Sequence, residues 1–163
     1  MTSEEMAMQS TSDVQGFKGE FRFLSNFFPA PIFIASYLWP SVEHAYQALK
    51  TVDPAERDRV AQAETPGQAK RLGAELTVRA DWAEVRVPLM KLCVRSKFIQ
   101  HGQLAARLLG TGQALLIEDN HWGDRFWGVC DGEGENQLGR LLMEVRAEIS
   151  PLACMPPVGV PLA

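Results

Sequence analysis

The sequence predicts an α+β domain, a set of short helices accompanied by two or three strands. Three observations lead there. Helix-start signals recur at short intervals: Pro40-Ser41, Asp53-Pro54-Ala55-Glu56, Thr65-Pro66-Gly67-Gln68 and Asp81-Trp82-Ala83-Glu84. Runs with strand character are few and short. No β–α–β spacing recurs and there are no internal repeats, so neither a doubly wound sheet nor a barrel is indicated. At 163 residues, 46% hydrophobic and 22% charged, the chain suits one domain with one sizeable core.

Taken in order, Met1 to Gln15 is polar and rich in small residues, and is expected to be disordered. The domain proper spans 16–150. Gly16 to Pro29 reads as a strand passing into a loop, because Phe21 and Phe23 alternate with Glu20 and Arg22. Ser25 and Asn26, a polar pair inside an aromatic run, either hold a turn or line a site. Pro31 to Leu38 reads as a second strand and a hairpin partner of the first. Ser41 then caps a helix running to Lys50, and capped helices follow at Asp53 and Thr65, the latter ending near Gly73.

Pro88 splits the next stretch into a turn at 81–86 and a helix to Gln100, with Leu89, Leu92, Cys93 and Ser96 on one face and Gly102 ending it. Trp82 is either a core anchor or a stacking surface. Gln103–Leu109 is a short helix, and Ala114–Glu118 a buried strand. Asn136 is the expected N-cap of a last helix with a stripe of Leu138, Leu141, Leu142, Val145 and Ile149. Pro151 is expected to stop it, leaving 151–163 as a loose end.

Composition narrows the function. The net charge is −4 and no basic stripe is evident, which excludes an extended nucleic-acid surface held by charge but not a single nucleotide or exposed base. Cys93, Cys130 and Cys154 are scattered, as are His44, His101 and His121. No disulfide framework or metal-ligand spacing emerges, and no metal or other cofactor is implied. No apolar run reaches 18 residues, and residues 1–15 lack the core of a signal peptide. A cytoplasmic enzyme or binding protein is the expectation.

Two stretches carry chemistry. On the Ser41–Lys50 helix, Val42, Ala45, Tyr46 and Leu49 form an apolar stripe, and Glu43, Gln47 and Lys50 fall along one edge of it. That spacing holds a carboxylate and an amine about 10 Å apart along the axis. The long polar segment from Asp119 to Glu135 holds Trp122, Phe126 and Trp127, too aromatic for a mere linker. A turn there sets the Asp124 carboxylate beside Trp127-Gly128. Its glycines run into the start of the last helix, whose free N–H groups suit an anion, although Glu133 and Glu135 would repel phosphate.

Trp39-Pro40-Ser41-x-Glu43-His44-x-x-Gln47-x-x-Lys50 resembles the signature segment of the NADAR family, the YbiA-like or riboflavin-intermediate N-glycosidases. The resemblance continues through Phe23-Leu24-Ser25-Asn26-Phe27, the Trp82 region, Arg95-Ser96-Lys97-Phe98, Asp124-x-x-Trp127-Gly128 and Gly134-x-Asn136-x-Leu138-Gly139, covering about residues 16–150. It implies a compact, mostly helical α+β domain with a small sheet that hydrolyses N-glycosidic bonds. The substrates it implies are early riboflavin intermediates or ADP-ribosylated guanine in nucleic acid. Glu43, Lys50 and Asp124 are the implied catalytic residues. Ser25, Asn26, Gln47, Trp82, Trp127, Gly128 and Asn136 are assigned to the substrate. Glu133 and Glu135 depart from the family's basic or neutral residues.

Cleaving a C–N glycosidic bond builds positive charge on the sugar and negative charge on the departing base, so carboxylates and a proton donor are required. Lys50 either holds charge as an ammonium ion or attacks C1′ as a free amine. A non-catalytic sensor of ADP-ribose or NAD is the competing expectation.

Overall fold

A computed structural model describes residues 12–153. Its organising element is α1, Val42–Ala48, which packs against strands β2 and β3 and helices α2, α3 and α4, whose ranges follow. All nine side chains from Ser41 to Leu49 are buried, polar ones included. That is tolerable because the polar groups are paired, Gln47 Oε1 excepted. The Ser41 side chain caps the helix by accepting from the His44 N–H, and His44 Nδ1 and Nε2 reach Ser41 Oγ (2.8 Å) and the Ala63 carbonyl (3.1 Å).

Around α1, the local signals for helices hold. α2 (Pro54–Ala61) is capped by Asp53 and α3 (Pro66–Gly73) by Thr65, each with proline in its first turn. α5 spans Gly102–Gly110, and α6, Gln137–Ala153, buries the expected stripe of Leu138, Leu141, Leu142, Val145 and Ile149 against α4, α5 and β4.

Several expectations fail for identifiable reasons. Trp82–Gln100 is one helix, α4, with Pro88 inside it at an exposed position. The proline removes one donor and leaves the exposed Glu84 carbonyl without its helical partner, a loss that about three further turns of packing absorb because Met90, Cys93, Val94, Lys97 and Phe98 are buried. Of the residues expected together on one face, Cys93 is buried and Leu92 is 43% exposed. Asp81 does not cap this helix, since its carboxylate receives the Arg79 guanidinium at 2.6 and 2.9 Å. Gly102 begins α5 rather than simply closing α4. At the other end Pro151 does not stop α6, because a proline in the last turn forfeits a single hydrogen bond.

The strands differ more. The Phe21/Phe23 alternation belongs to a 3-10 helix, Gly19–Leu24, in which Phe23 and Leu24 are buried; the Phe21 N–H donates to the Lys18 carbonyl at 2.9 Å. The hairpin lies within the second stretch and one residue beyond it, and does not involve the first. β2 (Ile32–Ile34) pairs antiparallel with β3 (Tyr37–Trp39) through Ala35 and Ser36, both left-handed at φ 52° and 68°. β1, Val14–Gln15, pairs in parallel with β4, Leu116–Ile117, so ordered structure begins before residue 16. Leu115, inside the expected buried strand, is 51% exposed. The long polar segment is closed by β5 (Asp119–Asn120) and β6 (Val129–Cys130), also parallel. Residues 1–11 and the tail past 153 lie outside the described residues. No helix among those described is long and apolar enough to cross a membrane.

Candidate active site

One side of α1 opens onto a cavity of about 680 Å³. Glu43, Tyr46 and Gln47 come from the helix and Lys50 from just beyond it. Opposite stand Trp82 and Met90 of α4, Lys70 of α3, and Asp124 and Trp127 of the long loop; the Ser25–Phe27 turn, Glu118, Trp122 and Leu138 complete the wall.

Glu43 is only 6% exposed, and its Oε1 accepts from Gln47 Nε2 at 2.7 Å across one helical turn. Its backbone N–H, one of the donors a helix leaves free in its first turn, goes to the Asn26 carbonyl at 3.1 Å. The Ser25–Phe27 turn is thereby fastened to α1. Burial pushes the Glu43 carboxyl above its ordinary range; the Gln47 hydrogen bond and the Lys70 and Lys50 charges oppose that, while Asp124 adds to it. Burial likewise lowers Lys50, countered by Glu43. Gln47 is held from behind by Gly73, where a Cβ would lie 1.9 Å from Gln47 Oε1.

The long loop is braced internally. Asp124 Oδ1 accepts from the Phe126 and Trp127 N–H groups at 3.0 and 2.8 Å, the turn its spacing to Trp127 suggests. The Asn120 carboxamide clamps the same turn, accepting from the Asp124 N–H and donating to the Asp124 and Val129 carbonyls. Tyr46 joins the two tryptophans, with ring centroids 5.3 Å from Trp82 and 5.5 Å from Trp127.

Eight of the ten residues singled out from the sequence therefore meet on one cavity: Ser25, Asn26, Glu43, Gln47, Lys50, Trp82, Asp124 and Trp127. Ser25 also holds its turn, accepting from the Phe27 N–H at 3.1 Å. Gly128 and Asn136 do not line the cavity. Gly128 packs so closely on the backbone that a Cβ would lie 2.3 Å from the Glu118 carbonyl. Asn136, at φ 52°, does not have the extended backbone of an N-cap; its carboxamide accepts from the Glu118 N–H and donates to the Leu116 carbonyl.

Nor is the start of α6 open to an anion. The N–H groups of Glu135, Asn136, Gln137 and Leu138 donate to the carbonyls of Arg125, Gly128, Phe126 and Trp127. Glu133 turns instead to Arg125, 2.9 Å away.

Sequence reasoning missed Tyr46, Lys70 and Glu118. Tyr46 was indistinguishable from the apolar stripe it interrupts. Glu118 had a signal, a carboxylate closing the otherwise apolar run Ala114-Leu115-Leu116-Ile117.

A sequence profile of the NADAR domain matches residues 14–150. The chain belongs to the NADAR domain family. Among its relatives, the riboflavin biosynthesis protein VVA0006 of Vibrio vulnificus is 46% identical over 130 residues, which are 78% of this chain and 35% of that protein. The N-glycosidase YbiA of Escherichia coli is 37% identical over 144 residues, 86% of each. The N-glycosidase Npun_R5314 of Nostoc punctiforme is 42% identical over 131 residues, 77% of this chain and 83% of that one. The NMR structure of E. coli YbiA matches with a TM-score of 0.82 at 31% identity, covering 92% of both chains. NADAR membership thus agrees with the α+β single domain described above.

Proposed function

We propose that this NADAR-domain protein is an N-glycosidase that hydrolyses the bond between a base and a phosphorylated ribose. The observation that carries the reading is the meeting of Glu43, Asp124 and Lys50 on one aromatic-walled cavity. Its size, about 680 Å³, suits a nucleotide-like small molecule. The printed names of the relatives support the same reaction class.

In this reading the base stacks among Trp82, Tyr46 and Trp127, and the ribose lies toward α1. Positive charge grows at C1′ as the C–N bond lengthens, and the Glu43 and Asp124 carboxylates offset it. Glu43, made more basic by burial, takes the proton of the attacking water. Gln47 fixes the orientation of Glu43. Lys50 and Lys70 supply the positive charge that a sugar phosphate requires.

Two incubations separate the candidate substrates, one with a ribosylaminopyrimidine phosphate and one with ADP-ribosylated guanine DNA. Release of ribose phosphate from the first is the expected result. Glu43→Gln abolishes turnover in an enzyme; a variant and a wild type that bind equally and release nothing would make the protein a sensor. Borohydride trapping decides the role of Lys50, since an amine that attacks C1′ leaves a covalent adduct on that residue.

A further inference from the structure

Resting on the N-glycosidase reading, we propose that Glu118 is the acid that protonates the departing base. The bond-breaking step needs a proton donor on the base side of the cavity, and neither Glu43 nor Asp124 is well placed to be it. Burial raises the Glu43 carboxyl, but its Oε1 is already committed as acceptor to Gln47, and the Lys70 and Lys50 charges oppose the rise, which suits it to the base role. Asp124 Oδ1 already accepts two backbone N–H groups. Glu118 lines the same cavity beside Trp122, Asp124 and Trp127, and its Oε2 is buried with no hydrogen-bond partner. A carboxylate there would be an anion without a donor, whereas a carboxylic acid there has an O–H to give to a ligand.

The charges around Glu118 point the same way. Asp124 and Asp119 disfavour a third negative charge; Lys18 and Lys70 oppose them. With burial as the largest cause, the carboxyl is pushed up to about 7.

The backbone of Glu118 is held with unusual care. Its N–H donates to Asn136 Oδ1 at 3.0 Å, and its carbonyl accepts the Val129 N–H at 2.9 Å. A Cβ on Gly128 would strike that carbonyl and sit 3.1 Å from Glu118 Cγ. Gly128 and Asn136, the two motif residues that do not line the cavity, thus act as positioning residues for Glu118.

The step balances as follows. The electron pair of the C1′–N bond leaves on the base nitrogen, which receives the Glu118 proton. Water oxygen bonds to C1′ and loses a proton to Glu43. Exchange with solvent then restores both groups.

The test compares wild type with Glu118→Gln on whichever ribosylated substrate the wild type cleaves, and on 4-nitrophenyl ribofuranoside 5-phosphate, whose nitrophenolate departs without protonation. The variant is expected to lose about 100- to 10,000-fold in kcat on the first and under about tenfold on the second. The fall in wild-type kcat/KM above neutral pH should vanish with it. Equal activity on the first substrate overturns the proposal, as does an equal loss on both accompanied by a lower melting temperature. Wild type that cleaves neither compound overturns the N-glycosidase reading itself, and this inference with it.

Discussion

Gln47 shows how closely the site is built at the level of single residues. Its amide donates to Glu43, and its own carbonyl Oε1 is buried without a partner against Gly73. Gly73→Ala must displace Gln47, and with it the orientation of Glu43. We expect a loss of roughly 1–3 kcal/mol in urea unfolding together with a fall in kcat, whereas Ala69→Gly in the same helix should leave kcat alone. Trp82→Ala removes one stacking face and should raise KM by about 5- to 150-fold, from roughly 1–3 kcal/mol per stacked base. Titrating initial rates measures it. Glu43 and Gln47 were legible in the sequence because helical periodicity alone sets them together. Glu118 was less so: a carboxylate just after the apolar run that forms β4 marks it as unusual, but that it faces the cavity depends on Glu43, Lys70 and Trp82, which the fold brings to it from far along the chain.

At the scale of elements, short-range chemistry decided what could be read. α2 and α3 were legible because aspartate or threonine followed by proline both caps and starts a helix, whatever the surroundings. The 3-10 helix at Gly19–Leu24 was not, because the Phe21/Phe23 spacing has the period of a half-buried strand, and two turns of 3-10 helix are too short to show a period of their own. The continuity of α4 through Pro88 was a tertiary outcome, invisible to a rule about prolines. Ser41 tests the cap of α1 directly. Ser41→Ala removes the acceptor for the His44 N–H and the partner of the His44 ring, so a loss of about 2 kcal/mol is expected by denaturant titration, and Ser41→Thr should recover most of it.

For the whole molecule, one buried and one partly buried ionisable group tilt stability in opposite directions with pH. Burial raises Glu118 from an ordinary 4.5 to about 7, so between those values the unfolded chain has released a proton that the folded chain keeps. Stability from this group is full below pH 4.5 and is lost as pH rises to 7, by roughly 3 kcal/mol at most. Burial lowers Lys97 from 10.5 to about 7; here the unfolded chain holds the extra proton, and stability rises with pH from 7 to 10.5. Lys97 is fully enclosed, donating to the Ser25 carbonyl at 2.9 Å behind the wall of the site. The unfolding free energy of wild type relative to Glu118→Gln should therefore fall across pH 4.5–7 and stay flat above. The difference for Lys97→Met should be flat below 7 and change above it. A pH-independent difference for either variant would contradict the assignment.

The seam between the long loop and α6 gives the molecule an internal gauge. Four consecutive amides, Glu135 to Leu138, donate to carbonyls of Arg125 to Gly128, so the segment carrying Trp127 cannot lift from the cavity without uncovering the first turn of α6. Their deuterium uptake reports the loop's opening free energy directly. A ligand that stacks on Trp127 should slow exchange at Gln137 and Leu138, whose amides donate to the Phe126 and Trp127 carbonyls.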